Sequence, residues 1–492
     1  MRTFIRSQSR TSPHASEAQA PRTRTSPQPR IAVVGTGYLG ATHAICLAYM
    51  GFAVTAIDID EVKITSLKRG VLPFYEPGLP GLLTTTLDTG RLHFSTDFGA
   101  VAGADVVFLC VGTPQSPDSP AADLRYLEAA VAGIAPYLTH RCLVVGKSTV
   151  PIGTARHLTE FIQASSPAGK LVELSWNPEF LREGHAIEDT LHPDRLVFGV
   201  ASDWALGRLR TCYASPIANG TPVIVTDLAT AELVKAAANS FLATKISYIN
   251  AMAEVCEATG ADVNLLAEAL SYDSRIGGSF LKPGLGFGGG CLPKDIRAFA
   301  YRAGELGVGQ AVGFLREVDA INQRRRQRTV DLITEMACGD LKGVKIAVLG
   351  AAFKPDSDDI RDAPALDVAR MLFQAGARVT VYDPRAMTNA RKSYPELTYA
   401  GSLNSAVAGA EVVALLTEWE EFRTADPAVL GDLVERRNIV DGRHALNAAA
   451  YQAAGWDYRA LGTPSPAAPP LELVEPEVGR FLEFADGLDH RA

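Results

Sequence analysis

Ile31–Asp58, IAVVGTGYLGATHAICLAYMGFAVTAID, is the stretch on which the fold turns. IAVVG has the length and composition of a buried strand. Gly35, Gly37 and Gly40 then mark a tight turn, the residues after them space their apolar side chains as a helix does, and FAVTAID is a second strand ending on Asp58. Residues 31–57 carry no Asp, Glu, Lys or Arg, so hydropathy by itself matches a membrane span. Glycines at that spacing, followed by a strand that closes on an acid, fit a buried strand–turn–helix–strand better. No membrane is expected as a partner.

Working outward, the same alternation continues. DVVFLCVG (Asp105–Gly112) and RCLVVGKST (Arg141–Thr149) read as strands, with the helical DLRYLEAAVAGIAPYL between them, which implies a parallel sheet covered by helices. The pattern changes at Thr226. TDLATAELVKAAANSFLATKISYINAMAEVCEAT has no proline and many helix formers, and it stops at Gly260. Further helix is expected from roughly Lys294 to Met336. Lys345–Pro384 then repeats the logic of the opening unit, with strand, loop, helix and a strand closing on Asp383, but without G-x-G-x-x-G. The expected fold is therefore α/β: two Rossmann-like doubly wound domains (30–215 and 326–463) joined by a central helical domain (216–325) that contains one long connecting helix. Residues 1–29 and 464–492 are rich in Pro, Ser, Ala or Arg and read as loose tails.

Composition agrees with this division. A chain of 492 residues suits two or three domains, and a net charge of −8 gives no basic face for nucleic acid. The seven cysteines are odd in number, scattered and free of C-x-x-C spacing. That speaks against a disulfide framework or a metal site and suits a reducing, cytoplasmic setting.

Several motifs carry chemistry. Gly35-x-Gly37-x-x-Gly40 lets a pyrophosphate approach a helix N-terminus, and Asp58 can bond a ribose 2′-hydroxyl while repelling a 2′-phosphate. Both features point to NAD. Lys63 either helps at the adenosine end or is a solvated helix lysine. Lys235 and Asn239 share one face of the long helix, where the lysine either snorkels or faces an oxyanion. In WNPEFLREG, Asn177 and Pro178 have the signature of a helix start, which would put Glu179 and Glu183 one turn apart. Acids there are commonly dipole partners. Finally, GLGFGGGCLPKD (Gly284–Asp295) frames Cys291 with glycines and sets Lys294 and Asp295 just after it. Bare backbone allows close approach to a ligand, and charged neighbours suit a nucleophilic thiol. The neighbouring Lys294 points to some depression of the thiol's pKa.

Together VGTGYLG, CVGTP, KSTVP, NPEFLREG, AELVKAAANSFLATKISYIN, FLKPGLGFGGGCLPKD, AAFKPDSDDIRDAPA and DGR resemble the UDP-glucose/GDP-mannose dehydrogenase family, in the family's order, over about Arg30 to Leu461. The resemblance implies oxidation of a nucleotide sugar's C6 alcohol to a carboxylate with two NAD⁺, through a thiohemiacetal and thioester on a cysteine. It makes Cys291 the nucleophile and puts Lys235 and Asn239 at the oxyanion. Asp295 and Thr149 would position or deprotonate water, and Glu179 would do acid–base work. Gly35, Gly37, Leu39, Gly40, Asp58, Lys63, Thr113, Thr149, Glu183, Lys294 and Arg361 would meet the cofactor. Glu179, Phe180, Leu181, Lys235, Asn239, Phe280, Leu281, Lys282, Pro283, Gly284, Gly288, Lys354 and Arg443 would meet the sugar nucleotide. Arg275 would reach the neighbouring subunit's site in an obligate dimer. Two departures are visible: Leu292 where many relatives carry phenylalanine, and Gly290 where serine is frequent.

The resemblance favours UDP-glucose as substrate. GDP-mannose or a UDP-N-acetylhexosamine would keep the reaction and change the sugar. Simple hydroxyacid dehydrogenases share the plan but have no use for Cys291. A non-catalytic nucleotide-sugar-binding protein would be expected to lack the thiol, the lysine or the aspartate, and all three are present.

Overall fold

The computed structural model describes residues 28–464, so both expected tails lie almost wholly outside the described residues. The N-terminal sheet has eight strands: β1 (Ile31–Val34), β2 (Val54–Ile57), β3 (Leu92–Ser95), β4 (Val106–Leu109), β5 (Cys142–Gly146), β6 (Val172–Trp176), β7 (Leu196–Gly199) and β8 (Val223–Thr226). Their order is β3-β2-β1-β4-β5-β6-β7-β8. Every pairing is parallel except the single antiparallel contact of Trp176 with Gly199. The second sheet comprises β9 (Lys345–Leu349), β10 (Arg378–Tyr382), β11 (Thr398–Tyr399), β12 (Val412–Leu415), β13 (Asn438–Asp441) and β14 (Asp457–Ala460), in the order β11-β10-β9-β12-β13-β14. The internal duplication is real: in both sheets the first strand lies between the second and the fourth, which opens a crevice at its C-terminal end.

Burial explains the charge-free opening. Ile31 and Val33 pack into one apolar cluster, Ala32 and Val34 into another on the opposite face of the sheet. A strand covered on both faces needs apolar residues at every position. The helix Tyr38–Tyr49 is buried over most of its circumference, so it too lacks a polar face. Among the described residues no helix is long and apolar enough to cross a membrane.

The connecting helix is Leu228–Thr259, capped by Asp227, whose carboxylate accepts from Thr230 N at 2.8 Å, and closed by Gly260 at φ 73°. Three boundaries differ from expectation. β8 belongs to the first sheet although it lies beyond residue 215. The run expected from Lys294 to Met336 is two helices, Leu292–Glu305 and Phe314–Met336. Gly307, at φ 77°, takes the left-handed conformation that ends the first of them. The second crosses residue 325 without interruption, so no linker separates the central helices from the C-terminal domain.

Candidate active site

The glycine turn meets the requirements of a dinucleotide. A Cβ on Gly40 would fall 1.8 Å from the carbonyl oxygen of Gly35, so only glycine lets the helix close onto the turn. Gly37 has open space around its Cα. The helix behind it has no side-chain cap and no acid in its first turn, which leaves its N–H groups and dipole for an anion. Leu39 packs against the first apolar core from this turn. Asp58 Oδ2 accepts from Thr36 N at 2.7 Å and from Lys63 Nζ at 2.9 Å. Burial works to raise its pKa, but these donors outweigh it and hold the carboxyl below the ordinary range. Lys63 is therefore a partner of Asp58 and not a solvated lysine. Thr113 Oγ1 donates to the Thr149 carbonyl at 2.6 Å, and both line a cleft with Lys294 and Asp295.

The chemistry converges on the first turn of helix Leu292–Glu305. Lys235 and Asn239 are buried on one face of the connecting helix, as their spacing requires. Lys235 Nζ lies 3.1 Å from Glu179 Oε1, and Asn239 Nδ2 donates to Asp295 Oδ2 at 2.6 Å. The other Asp295 oxygen pairs with Lys294 Nζ at 2.6 Å. Burial lowers the pKa of Lys235, yet Glu179, Cys291 and Asp295 together hold it above its ordinary value, so the ammonium stays charged. Cys291 stands immediately before the helix and is exposed, whereas five other cysteines are buried. Its thiol is not depressed. The residue is open to solvent on the cleft side yet surrounded by protein on the others; that desolvation, then Glu179 and Asp295, raise the thiol to about 11 against the opposing pull of Lys235 and Lys294.

The glycines around Cys291 serve packing as much as ligand approach. A Cβ on Gly288 would sit 2.2 Å from the Asp362 carbonyl oxygen, and one on Gly290 would sit 2.2 Å from Arg361 Cζ. The missing serine hydroxyl thus has its place taken by a guanidinium. Arg443 holds the same loop: its guanidinium donates to the carbonyls of Leu416 (2.9 Å), Gly286 (3.0 Å) and Phe353 (3.2 Å). These three bonds tie the loop to the C-terminal sheet.

The helix expected from Asn177 does not form; the next helix begins at Ala186. Asn177 is buried and its side chain bridges the sheet instead. Its Nδ2 donates to the Val197 carbonyl at 2.9 Å, and its Oδ1 accepts from Lys147 Nζ at 3.0 Å and Tyr213 OH at 2.5 Å. Freed from helical register, the two acids diverge. Glu179 faces Lys235, with its other oxygen accepting from Leu181 N at 2.8 Å, and Phe180 lies beneath both Lys235 and Arg195. Glu183 turns to the C-terminal domain, accepting from Ser357 Oγ at 2.7 Å and lying 3.4 Å from Arg361. Burial and Asp359 push it up to about 7. Lys354 crosses the same seam to the Glu183 carbonyl at 2.6 Å. The far end of the loop rests on buried Glu76, which accepts from Gly184 N at 2.7 Å and Ala186 N at 2.8 Å. Glu76 and Lys147 escaped sequence reading, for nothing in their local spacing announces a distant partner.

Of the remaining expected residues, Leu281 and Pro283 are buried, Phe280 and Lys282 are exposed, and Phe280 adopts φ 65°. Gly284 N donates to buried Asn250 at 2.9 Å. Arg275 is exposed and pairs with Asp273 at 2.6 Å, two residues away.

Comparison with known proteins agrees with this geometry. Residues 29–217, 229–324 and 347–448 match, in turn, the NAD binding, central and UDP binding domains of the UDP-glucose/GDP-mannose dehydrogenase family. A UDP-glucose 6-dehydrogenase of Rhizobium meliloti is 41% identical over 440 residues, covering 88% of this chain and all of that one. TuaD of Bacillus subtilis, also a UDP-glucose 6-dehydrogenase, is 41% identical over 89% of this chain and 94% of its own. Among solved structures, a UDP-glucose dehydrogenase from Pyrobaculum islandicum superposes with a TM-score of 0.83 at 36% identity, over 90% of this chain and 99% of that one. A UDP-D-ManNAc dehydrogenase from Pyrococcus horikoshii does so with 0.78 at 28%, over 88% and 99%. With an NAD turn, a UDP-binding domain and an exposed thiol set between a lysine and an aspartate, the chain belongs to the UDP-glucose/GDP-mannose dehydrogenase family and is an NAD-dependent nucleotide-sugar dehydrogenase.

Proposed function

We propose that the protein oxidises UDP-glucose at C6 to UDP-glucuronate through a thiohemiacetal and a thioester on Cys291. The observation that carries this is the exposed thiol between the Lys235–Glu179 and Asn239–Asp295 pairs. NAD⁺ supplies the hydride acceptor for each of the two oxidations. The C6 hydroxyl gives up its proton as the first hydride leaves, and Glu179 is the nearby acceptor. The Cys291 proton, held at an ordinary cytoplasmic pH, passes to a carboxylate as sulfur bonds to the aldehyde carbon. Lys235 and Asn239 donate to the oxygen that gathers charge at each step. Asp295, with Thr149 beside it, takes a proton from the water that cleaves the thioester. Lys354, Phe280–Gly284 and Gly288 hold the sugar nucleotide. The identity of the sugar is supported by the UDP-binding domain and by relatives named for UDP-glucose.

Limiting UDP-glucose with excess NAD⁺ is expected to give two NADH per sugar, with Cys291→Ser unable to complete the second oxidation. Turnover of GDP-mannose or a UDP-N-acetylhexosamine in its place would move the substrate and keep the mechanism. A second copy completes the reading. Phe241, Tyr248 and Val255 are at least half exposed along one side of the connecting helix, and Tyr272 and Ile276 flank Arg275. Exposed apolar surface of this kind marks an interface, and a two-fold dimer there presents Arg275 to the partner's site. Cysteines left unpaired fit a cytoplasmic location.

A further inference from the structure

Lys147 is a buried cation that the reaction as derived does not use. It directly follows β5 and is 6% exposed, and both of its hydrogen-bond partners, Asn177 Oδ1 and Tyr213 OH, are neutral. An ammonium taken out of water without a paired carboxylate is expensive, and burial brings it down to about 8. Stability alone gives no reason to keep it. The groups that face it are Cys110 just past β4, Glu179 from the loop, Lys235 from the connecting helix and His43 from the glycine-turn helix. Burial, and then Lys147 itself, hold the His43 pKa well below its ordinary value, so the ring is neutral and offers the ammonium no charge. What Lys147 does hold is Asn177, the residue at which the chain leaves β6 and turns toward Glu179. A cavity lined by Lys147, His43, Asn177, Tyr213 and Glu179 lies behind this turn, so on that side the turn is held by the hydrogen bonds to Asn177 Oδ1.

We infer that Lys147 is a positioning residue for the oxidation: through Asn177 it sets Glu179 against Lys235 and beside Cys291. The kinetic arm rests on the proposed reaction, whereas the thiol arm does not.

The experiment is iodoacetamide labelling of the full chain between pH 7 and 10, with peptide mass spectrometry separating Cys291 from exposed Cys338. Cys291 reports on Glu179 because that carboxylate raises it, as Asp295 does, while Lys235 and Lys294 lower it. In Lys147→Met the loop relaxes and Glu179 withdraws. The Cys291 labelling curve is expected to move to lower pH by about one unit, with Cys338 unchanged. With UDP-glucose, kcat falls by about 10²-fold and both KM values stay near those of the parent. A superimposable labelling curve in a folded variant overturns the inference. So does a shift to higher pH, which would mean that Lys147 acts on the thiol by its charge and not through the loop. Should Lys147→Met fail to fold, Tyr213→Phe removes the other donor to Asn177 and keeps the ring. The same downward shift is then expected, and its absence overturns the inference. Parent enzyme silent toward UDP-glucose would reject the proposed substrate and leave the labelling result to decide the role of Lys147.

Discussion

At the scale of single residues, the site depends on who neutralises whom. Lys235 stays cationic despite its burial because Glu179, 3.1 Å away, and beyond it Cys291 and Asp295 hold its pKa up. Lys235→Met removes a fixed charge from the developing oxyanion and is expected to lower kcat by about 10²–10³-fold, measured as initial NADH production from UDP-glucose. Glu183 gives a pH signature. Its carboxyl titrates near about 7 in the folded chain, above the ordinary range, chiefly because of burial. Between those two values the folded state binds more protons than the unfolded one, so the stability from this group is present at acidic pH and is lost as pH rises toward 7. Thermal melts from pH 4.5 to 8 are expected to show a smaller decline over that window in Glu183→Gln than in the parent. The acids, the lysines and the thiol singled out from sequence come together in the folded chain. The thiol's acidity was not legible, because neighbours in sequence such as Lys294 reveal neither the depth of the cleft nor Glu179, which only the folded chain brings near.

Among the elements, those governed by local rules were legible and those governed by distant partners were not. The connecting helix follows from its composition and from the Asp227 and Gly260 caps, and the strand–turn–helix–strand from its glycines. The helix expected at Asn177 has every local signal. It fails because that side chain is worth more bridging to Val197, Lys147 and Tyr213 than capping N–H groups that water can satisfy. The glycine turn makes a sharp prediction. A methyl at Gly40 would overlap the Gly35 carbonyl, so Gly40→Ala must open the turn and displace the N–H groups from the pyrophosphate. NADH affinity, followed by fluorescence titration, is expected to weaken by at least about tenfold, or about 1.4 kcal/mol.

For the whole molecule, two sheets with the same strand order were foreseeable from the repeated strand–helix–strand pattern, but the seam between them was not. Arg326 reaches Asp362 and Asp367, Arg297 joins Asp319 to Asp362, and Lys354 meets the Glu183 carbonyl. Such pairs link residues far apart in the chain and leave no periodic trace. The exposed side of the connecting helix carries the assembly prediction: Phe241→Glu is expected to shift the protein from dimer to monomer in light scattering behind gel filtration, with activity lost alongside. The same helix has a mechanical meaning. At 32 residues it is a rod of about 48 Å, with Lys235 and Asn239 near one end and Glu257 near the other. Glu257 is gripped there by Arg325, Arg328 and Gly462 N. One unbroken element thus carries both the buried pair beside Asp295 and the anchor that Arg325, Arg328 and Gly462 N hold, so neither end can shift without the other.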